Sequence, residues 1–177
     1  MLTLAQQQES LRAIVLGRPV DTNGDIWLTE ITASKGLQLM RATISWWQRF
    51  QIELQCRYTS RLLKRYSCFE ESVHACFAGR SAPPSIEELG SSYLTSLQTH
   101  EDNLVRAVAE FELACLVPSA AGSRPVLIPW DRNPVDVILA LDSGTELPAP
   151  EPETRYTLCI GADIPGGMSC IRERQPA

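Results

Sequence analysis

The chain has 177 residues, a length that suits one compact domain or a domain with a small appendage. Hydrophobic residues make up 44% and charged residues 21%, a globular composition that excludes a disordered or collagen-like chain. Sixteen Lys and Arg against 21 Asp and Glu leave a net charge of -5, which opposes wholesale attraction to nucleic acid or anionic lipid but leaves room for a local basic patch. No apolar run reaches the length of a membrane span. The start lacks the basic and apolar regions of a signal peptide, so a cytoplasmic chain with no membrane attachment is expected. The six cysteines, at 56, 68, 76, 115, 159 and 170, form no CxxC pair. They are expected to be reduced and to act as small hydrophobes.

Thr3 and Gln6 have the spacing of a capping box, which predicts a helix from Thr3 to about Leu16, ended by Gly17 and Pro19. Leu4, Leu11, Ile14 and Val15 are its expected inner stripe. Residues 18–30 carry turn residues without a period and read as a loop with at most one helical turn. Ser34 opens the longest expected helix, running to about Tyr66. Met40, Ile44, Trp47, Phe50, Leu54, Tyr58 and Leu62 recur every three or four residues and form its expected buried face. Ser67 with Glu70, and Ser85 with Glu88, are read as two further capping boxes, with Pro83 and Pro84 between them. Thr99 with Asp102 is read as the start of the last long helix, with Leu104, Val105, Val108, Phe111 and Cys115 inward and Pro118 at its end.

Composition changes after Pro118. Residues 117–124 read as a linker and 125–130 as a short strand, and Asn133 and Pro134 as the cap and first position of a helix to about Leu141. Residues 146–154, with three prolines and three glutamates, read as an extended solvated loop. Tyr156, Leu158 and Ile160 alternate with smaller residues as a strand, and residues 163–167 turn the chain into a return strand over 168–173. An isolated hairpin is marginal in water, so it must lean on the helices or pair with something else. The expected fold is α+β: a mainly helical bundle over residues 1–118, then a small β-rich domain over 119–177.

No phosphate loop, nucleophile elbow or HExxH helix is present. The tightest set of metal-type residues is Cys68, His74 and Cys76. On a helix they do not converge and no fourth ligand is offered, so no metal site is assigned. The paired acids Glu70-Glu71 and Glu87-Glu88 fall in first helical turns, where the dipole accounts for them. No catalytic residue is assigned, and a free-standing hydrolase is unsupported.

Two features stand out. Arg41, Arg49, Arg57, Arg61, Lys64 and Arg65 are offset only by Glu53 between positions 41 and 65. Arg57, Arg61 and Lys64/Arg65 make a stripe that is either a solvated helix face or a patch for an acidic or phosphate-bearing partner. Trp46, next to Trp47, either packs on another helix or stands exposed as an interface anchor.

Arg49, Arg57, Arg61-Leu62-Leu63 and Tyr66 are followed by Pro84-Ser85, Leu89-Gly90, Tyr93 and Leu97, then by Ala109-Glu110-Phe111-Glu112-Leu113-Ala114. In this order and spacing they resemble the helical domain, labelled DNA-binding, of the HvfC/BufC-type proteins, over about a third of the chain. Trp46-Trp47 stands where that pattern carries a tyrosine near the arginine. With its short β-rich C-terminal part, the chain is similar to the MbnC-like methanobactin biosynthesis subunits. The resemblance implies an accessory subunit with no cofactor of its own. Its expected partner is an MbnB-like iron enzyme that oxidises cysteines of a small precursor peptide to oxazolone and thioamide groups.

On that expectation, residues 155–162 and 168–172 hold the precursor's leader segment by strand addition, through Arg155, Tyr156, Thr157, Leu158, Cys159, Ile160, Met168, Ser169, Cys170 and Ile171. Coverage of the edge by the chain itself is the equal alternative. Trp46 and Phe50, or the stripe of Arg57, Arg61, Lys64 and Arg65, would dock the enzyme subunit. Glu112 is expected to be a buried acid paired with an arginine of the long helix. The alternative function is a DNA-binding regulator using the basic stripe, opposed by the acidic net charge and the lack of a helix-turn-helix.

Overall fold

A computed structural model describes residues 3–20, 25–78, 85–117 and 123–174. Eight helices and a three-stranded sheet lie among them: α1 (Leu4–Val15), α2 (Ile26–Ala33), α3 (Lys35–Gln55), α4 (Arg57–Arg65), α5 (Phe69–Ala78), α6 (Ile86–Ser96), α7 (Asn103–Leu116), β1 (Val126–Trp130), α8 (Pro134–Ser143), β2 (Thr154–Ile160) and β3 (Met168–Arg174). The fold is α+β. The capping boxes Thr3–Gln6 and Ser85–Glu88 are both formed, and Asn133 caps α8 with Pro134 at its first position.

Four boundaries differ from the sequence expectation. The expected loop before residue 30 contains α2, whose Asp25 accepts from the amides of Trp27 and Leu28. Such a cap fixes two of a helix's orphan donors. The single helix expected from Ser34 to Tyr66 breaks at Cys56, where φ is -121° and ψ 62°. Ser67 does not cap α5. It takes the left-handed conformation (φ 57°) and closes α4, while its amide bonds Lys64 O and the Cys68 amide bonds Leu63 O, a Schellman-type end. Asp102, not Thr99, caps α7, and Thr99 ends a short 3-10 turn. Pro83, Pro84, Pro118 and most of the expected linker lie outside the described residues.

The break at Cys56 also changes which side of α3 faces inward. Leu37 and Ile52 are buried, whereas Met40, Phe50 and Leu54 of the expected inner stripe are exposed. On α1, Ile14 is buried and Leu4 is exposed; on α7, Cys115 is exposed.

The main core is continuous across residue 118. Leu62, Leu63, Tyr93, Val105 and Val108 from the helices pack in one cluster with Ile128, Trp130, Val137, Tyr156 and Leu158. The sheet and α8 are therefore part of the helical body's core. A second, smaller cluster joins α1, α2 and the start of α3 through Ile14, Leu28 and Leu37. The sheet order is β1-β2-β3, all antiparallel, with Thr157 opposite both Pro129 and Ile171. Its inner face presents Ile128, Trp130, Tyr156 and Leu158 to the helices. Residues 145–151 carry no regular structure but are anchored, and 152–153 turn into β2: Arg132 donates to Pro148 O at 3.0 Å, the Glu151 amide to Asp131 O at 2.9 Å, and the Thr154 amide to Glu151 O at 3.0 Å.

Gly90 is where α6 meets the end of α3. The Gln55 side chain accepts from the Gly90 amide at 2.8 Å and donates to Ile86 O at 3.0 Å, so one amide side chain meets both groups of a single helical rung. A Cβ at Gly90 would fall on Gln55 Oε1, well inside van der Waals contact. Gly90→Ala is expected to destabilise the protein by about 1–3 kcal/mol, the range of an overpacked core site. Urea unfolding of G90A, and of G90A in a Gln55→Ala background where the Oε1 clash is gone and only the residue-55 Cβ at 3.0 Å remains, would check it: the cost should fall in the second.

Candidate functional site

Three surfaces carry the residues singled out in the sequence: the start of α4 with its basic stripe, the aromatic face of α3, and the outer strand of the sheet.

At the start of α4 the sequence supplies no local cap. Cys56 occupies the capping position without a side-chain capping bond; its thiol donates instead to Gly90 O at 3.7 Å. The donors at the second and third helical positions are taken instead by Glu112 from α7: the Tyr58 amide at 2.7 Å and the Thr59 amide at 2.8 Å. Glu112 is buried, and its partners are these amides rather than the expected arginine. A carboxylate at a helix N-terminus is stabilised by both the hydrogen bonds and the dipole. Desolvation nevertheless raises its pKa above the usual carboxylate range, and the bonds from Thr59 and Tyr58 offset only part of that rise. Beside it, burial and then the charge of Glu112 push the Cys56 thiol well above its ordinary value, so Cys56 is an inert core thiol.

The basic stripe of α4 faces α8. Arg57 and Arg61 both pair with Asp142, Arg61 at 2.8 Å, and Arg61 also donates to Leu141 O and Asp142 O at 3.0 Å each. Arg65 donates to Ala140 O at 2.8 Å and Thr145 O at 2.6 Å. Two guanidiniums, Arg61 and Arg65, thus satisfy carbonyls at the end of α8, where cations complement the dipole, while Arg57 reaches only the Asp142 carboxylate. Lys64 lies apart from them, paired with Glu53 at 2.7 Å. Sequence reading missed this clasp. The signal was Asp142, an acid near a helix C-terminus, where a lone carboxylate is unfavourable and implies a nearby cation.

On α3, Trp46 and Phe50 stack with ring centroids 5.5 Å apart and planes 6° from parallel. They remain 57% and 43% exposed. With Arg49, Glu53, Lys64 and Phe69 they border an open cavity of about 500 Å³. Its charges are paired: Arg49 with Glu70 at 2.6 Å, and Lys64 with Glu53. Of the basic stripe expected as the alternative docking surface, only Lys64 lies on this one.

In the sheet, β2 is central, hydrogen-bonded to β1 on one side and β3 on the other. Its backbone cannot add a strand, which corrects the inclusion of residues 155–160 as a pairing edge. Tyr156, Leu158 and Cys159 are buried. Arg155 and Thr157 open on a separate cavity of about 710 Å³ that Arg106 and Glu110 of α7 also line. The available edge is β3: it has no strand partner beyond β2 among the described residues, and all seven of its residues are exposed. Met168, Ser169, Cys170 and Ile171 all lie on it. Its far end is fixed by Arg172, which lies 5.7 Å above the Tyr156 ring and 3.4 Å from Glu151, itself bound by the Tyr156 hydroxyl at 2.9 and 3.0 Å.

Cys68 and Cys76 line a shallow cavity with Glu71 and His100 rather than with His74, which is exposed. His100 Nδ1 accepts from the Asp102 amide at 3.1 Å, so a neutral ring carries its proton on Nε2 and offers no free lone pair. Among the described residues no three His, Cys, Asp or Glu side chains converge as metal ligands.

The raised Glu112 pKa fixes a pH dependence. Because the folded-state value lies above the unfolded one, this group's contribution to stability is largest at low pH and is lost as pH rises through the folded pKa. The melting temperature of the wild-type chain minus that of Glu112→Gln should therefore increase as pH falls from 8 toward 5. A difference that is flat or falls over this interval would show that burial does not dominate at this carboxylate.

No protein-family model, no curated protein and no solved structure matches the chain.

Proposed function

We propose that this chain is a non-catalytic accessory subunit of a peptide-modifying complex. It captures the leader segment of a small ribosomally made precursor on the edge of β3 and forms a heterodimer with an iron-dependent enzyme. By its resemblance to the MbnC-like subunits, the reaction served is the oxidation of precursor cysteines to oxazolone and thioamide groups by an MbnB-like subunit that holds the iron.

One observation carries the reading: an outer strand all of whose residues are exposed, on a sheet whose inner face is locked into the helical core. An extended peptide laid along β3 gains main-chain hydrogen bonds from a template already ordered, so little of the association energy is lost to organising the receptor. Ser169 and Ile171 would flank its side chains on one face, and Met168, Cys170 and Arg172 on the other, following the alternation of the strand. The exposed Trp46–Phe50 pair supplies the docking surface for the enzyme. The paired arginines of α4 count against DNA binding, because Arg57, Arg61 and Arg65 would have to abandon the end of α8 to reach phosphates.

Co-expression with the iron enzyme followed by size-exclusion chromatography and metal analysis tests the heterodimer. A single peak containing both chains, with iron following the enzyme, is the expected outcome. Two peaks would sink the assignment. For the edge, Cys170→Pro and Ile171→Pro are made separately. Adjacent residues of a strand point their amides to opposite sides, so one of the two prolines removes an outward donor and leaves the β2–β3 ladder intact. That variant should keep the wild-type circular dichroism and lose leader-peptide affinity by about tenfold or more. Unchanged affinity in both would exclude β3 as the receptor.

A further inference from the structure

The outward face of α3 is longer than the aromatic pair. At 100° per residue, Leu39, Thr43, Trp46, Phe50 and Leu54 fall within an arc of about 80°, over about 22 Å of helix. All but Thr43 are large apolar side chains left exposed, and Leu39 and Leu54 are open by 69% and 63%. The charged residues of α3 largely turn elsewhere: Arg41 to Ile14 O, Arg49 to Glu70. Lys35 and Glu53 remain beside the stripe, both on the same flank about 40° from Leu39. Lys35 has no ion pair among the described residues, and Glu53 meets Lys64 through one carboxylate oxygen, Oε2.

We propose that the free chain pairs with a second copy of itself through this face, α3 lying antiparallel to α3 about a twofold axis between residues 44 and 45. Residues whose numbers sum to 89 then lie at the same height across the contact, and those on the same flank face each other. Leu39 of each copy meets Phe50 of the other, and Trp46 meets Thr43, a large side chain against a small one. Lys35 comes within one residue, or about 1.5 Å of rise, of the position facing Glu53, on the matching flank. Two symmetry-related Lys35–Glu53 pairs close the contact, as an isologous interface requires. A parallel arrangement would instead set Lys35 against Lys35 and Trp46 against Trp46. A large exposed apolar stripe flanked by one base and one acid that complement its own reversed image favours a second copy over a partner of single-sign charge. The face is the one given above to the enzyme subunit, so the two contacts exclude each other: the free chain stores its docking face in a homodimer, and the enzyme takes it up by exchange.

Sedimentation equilibrium of the full chain alone, from low micromolar concentration upward, tests this without the enzyme or the peptide. A monomer–dimer equilibrium is expected. Trp46→Glu should give a monomer, with circular dichroism as the check on folding. Lys35→Glu should raise the dimer dissociation constant about threefold to tenfold, the scale of two exposed ion pairs. Lys35→Glu with Glu53→Lys should recover it. A monomer at every concentration, a dimer that ignores Trp46→Glu, or a charge reversal that fails to rescue would overturn the proposal. None of these outcomes bears on peptide capture at β3, which the proline variants read separately.

Discussion

Glu112 reaching from α7 to the first amides of α4 is the contact on which the rest of the arrangement depends. Without it the chain from Ser34 to Tyr66 has no local reason to stop and restart. Cys56 offers no cap, and neither proline nor glycine lies nearby. The break is therefore tertiary. The Gln55 amide ties the end of α3 to α6, and the Glu112 carboxylate ties the start of α4 to α7. A carboxylate buried with two amide donors and no cation costs desolvation that a surface cap avoids, which is why its pKa rises. The return on that cost is direction. Freed from the axis of α3, α4 can turn Leu62 and Leu63 into the core and its arginines toward α8.

That direction has a second consequence at the sheet. Arg57, Arg61 and Arg65 hold the carbonyl end of α8, and the connection from α8 runs into the anchored segment that leads to β2. The orientation of the sheet is thus set from both faces of α4: apolar contacts on one side and guanidinium–carbonyl bonds on the other. The positive charge that looked available for a partner in the linear sequence is used inside the fold. Exposed ion pairs are individually weak. Several guanidinium bonds to carbonyls at one helix end act together, because each also satisfies a backbone group that would otherwise have no partner.

Much of the fold was legible in the sequence where the signals were local. The Thr3–Gln6 and Ser85–Glu88 boxes, the Asn133–Pro134 start and the alternation of Tyr156 and Leu158 each encode their structure within a few residues, and each formed as expected. What sequence reading missed was non-local. The Cys56 break rests on residues 31 to 54 positions away, so the periodicity from Met40 to Leu62 was carried through a boundary that local patterning cannot register. The same continuation placed Phe50 and Leu54 inside, when they lie on the solvent face. Ser67 with Glu70 matched a capping box in spacing alone; its left-handed backbone serves the end of α4 instead. Of the candidate site, β3 was legible as a strand, but its position at the edge was not, because strand order depends on where β1 docks against α7 and β2.

Satisfying its arginines internally leaves the protein with an unusual division of surface. Among the described residues, the surface features left without partners include a row of strand backbone on β3 and a stripe of apolar side chains on α3. Backbone pairing is indifferent to most side chains, and apolar contact is indifferent to sign of charge. Recognition by such surfaces must draw its specificity from register: which residues of a peptide fall on which face of β3, and which side chains of a helix meet across α3. Register in turn demands a rigid template. A sheet sharing one core with the helices, and a helix whose far end is pinned by Gln55 to its neighbour, both supply one. The buried carboxylate of Glu112 and the clasp on α8 therefore bear on binding as much as on stability, since a shift of one residue turns a strand to its opposite face and a helix by about 100°.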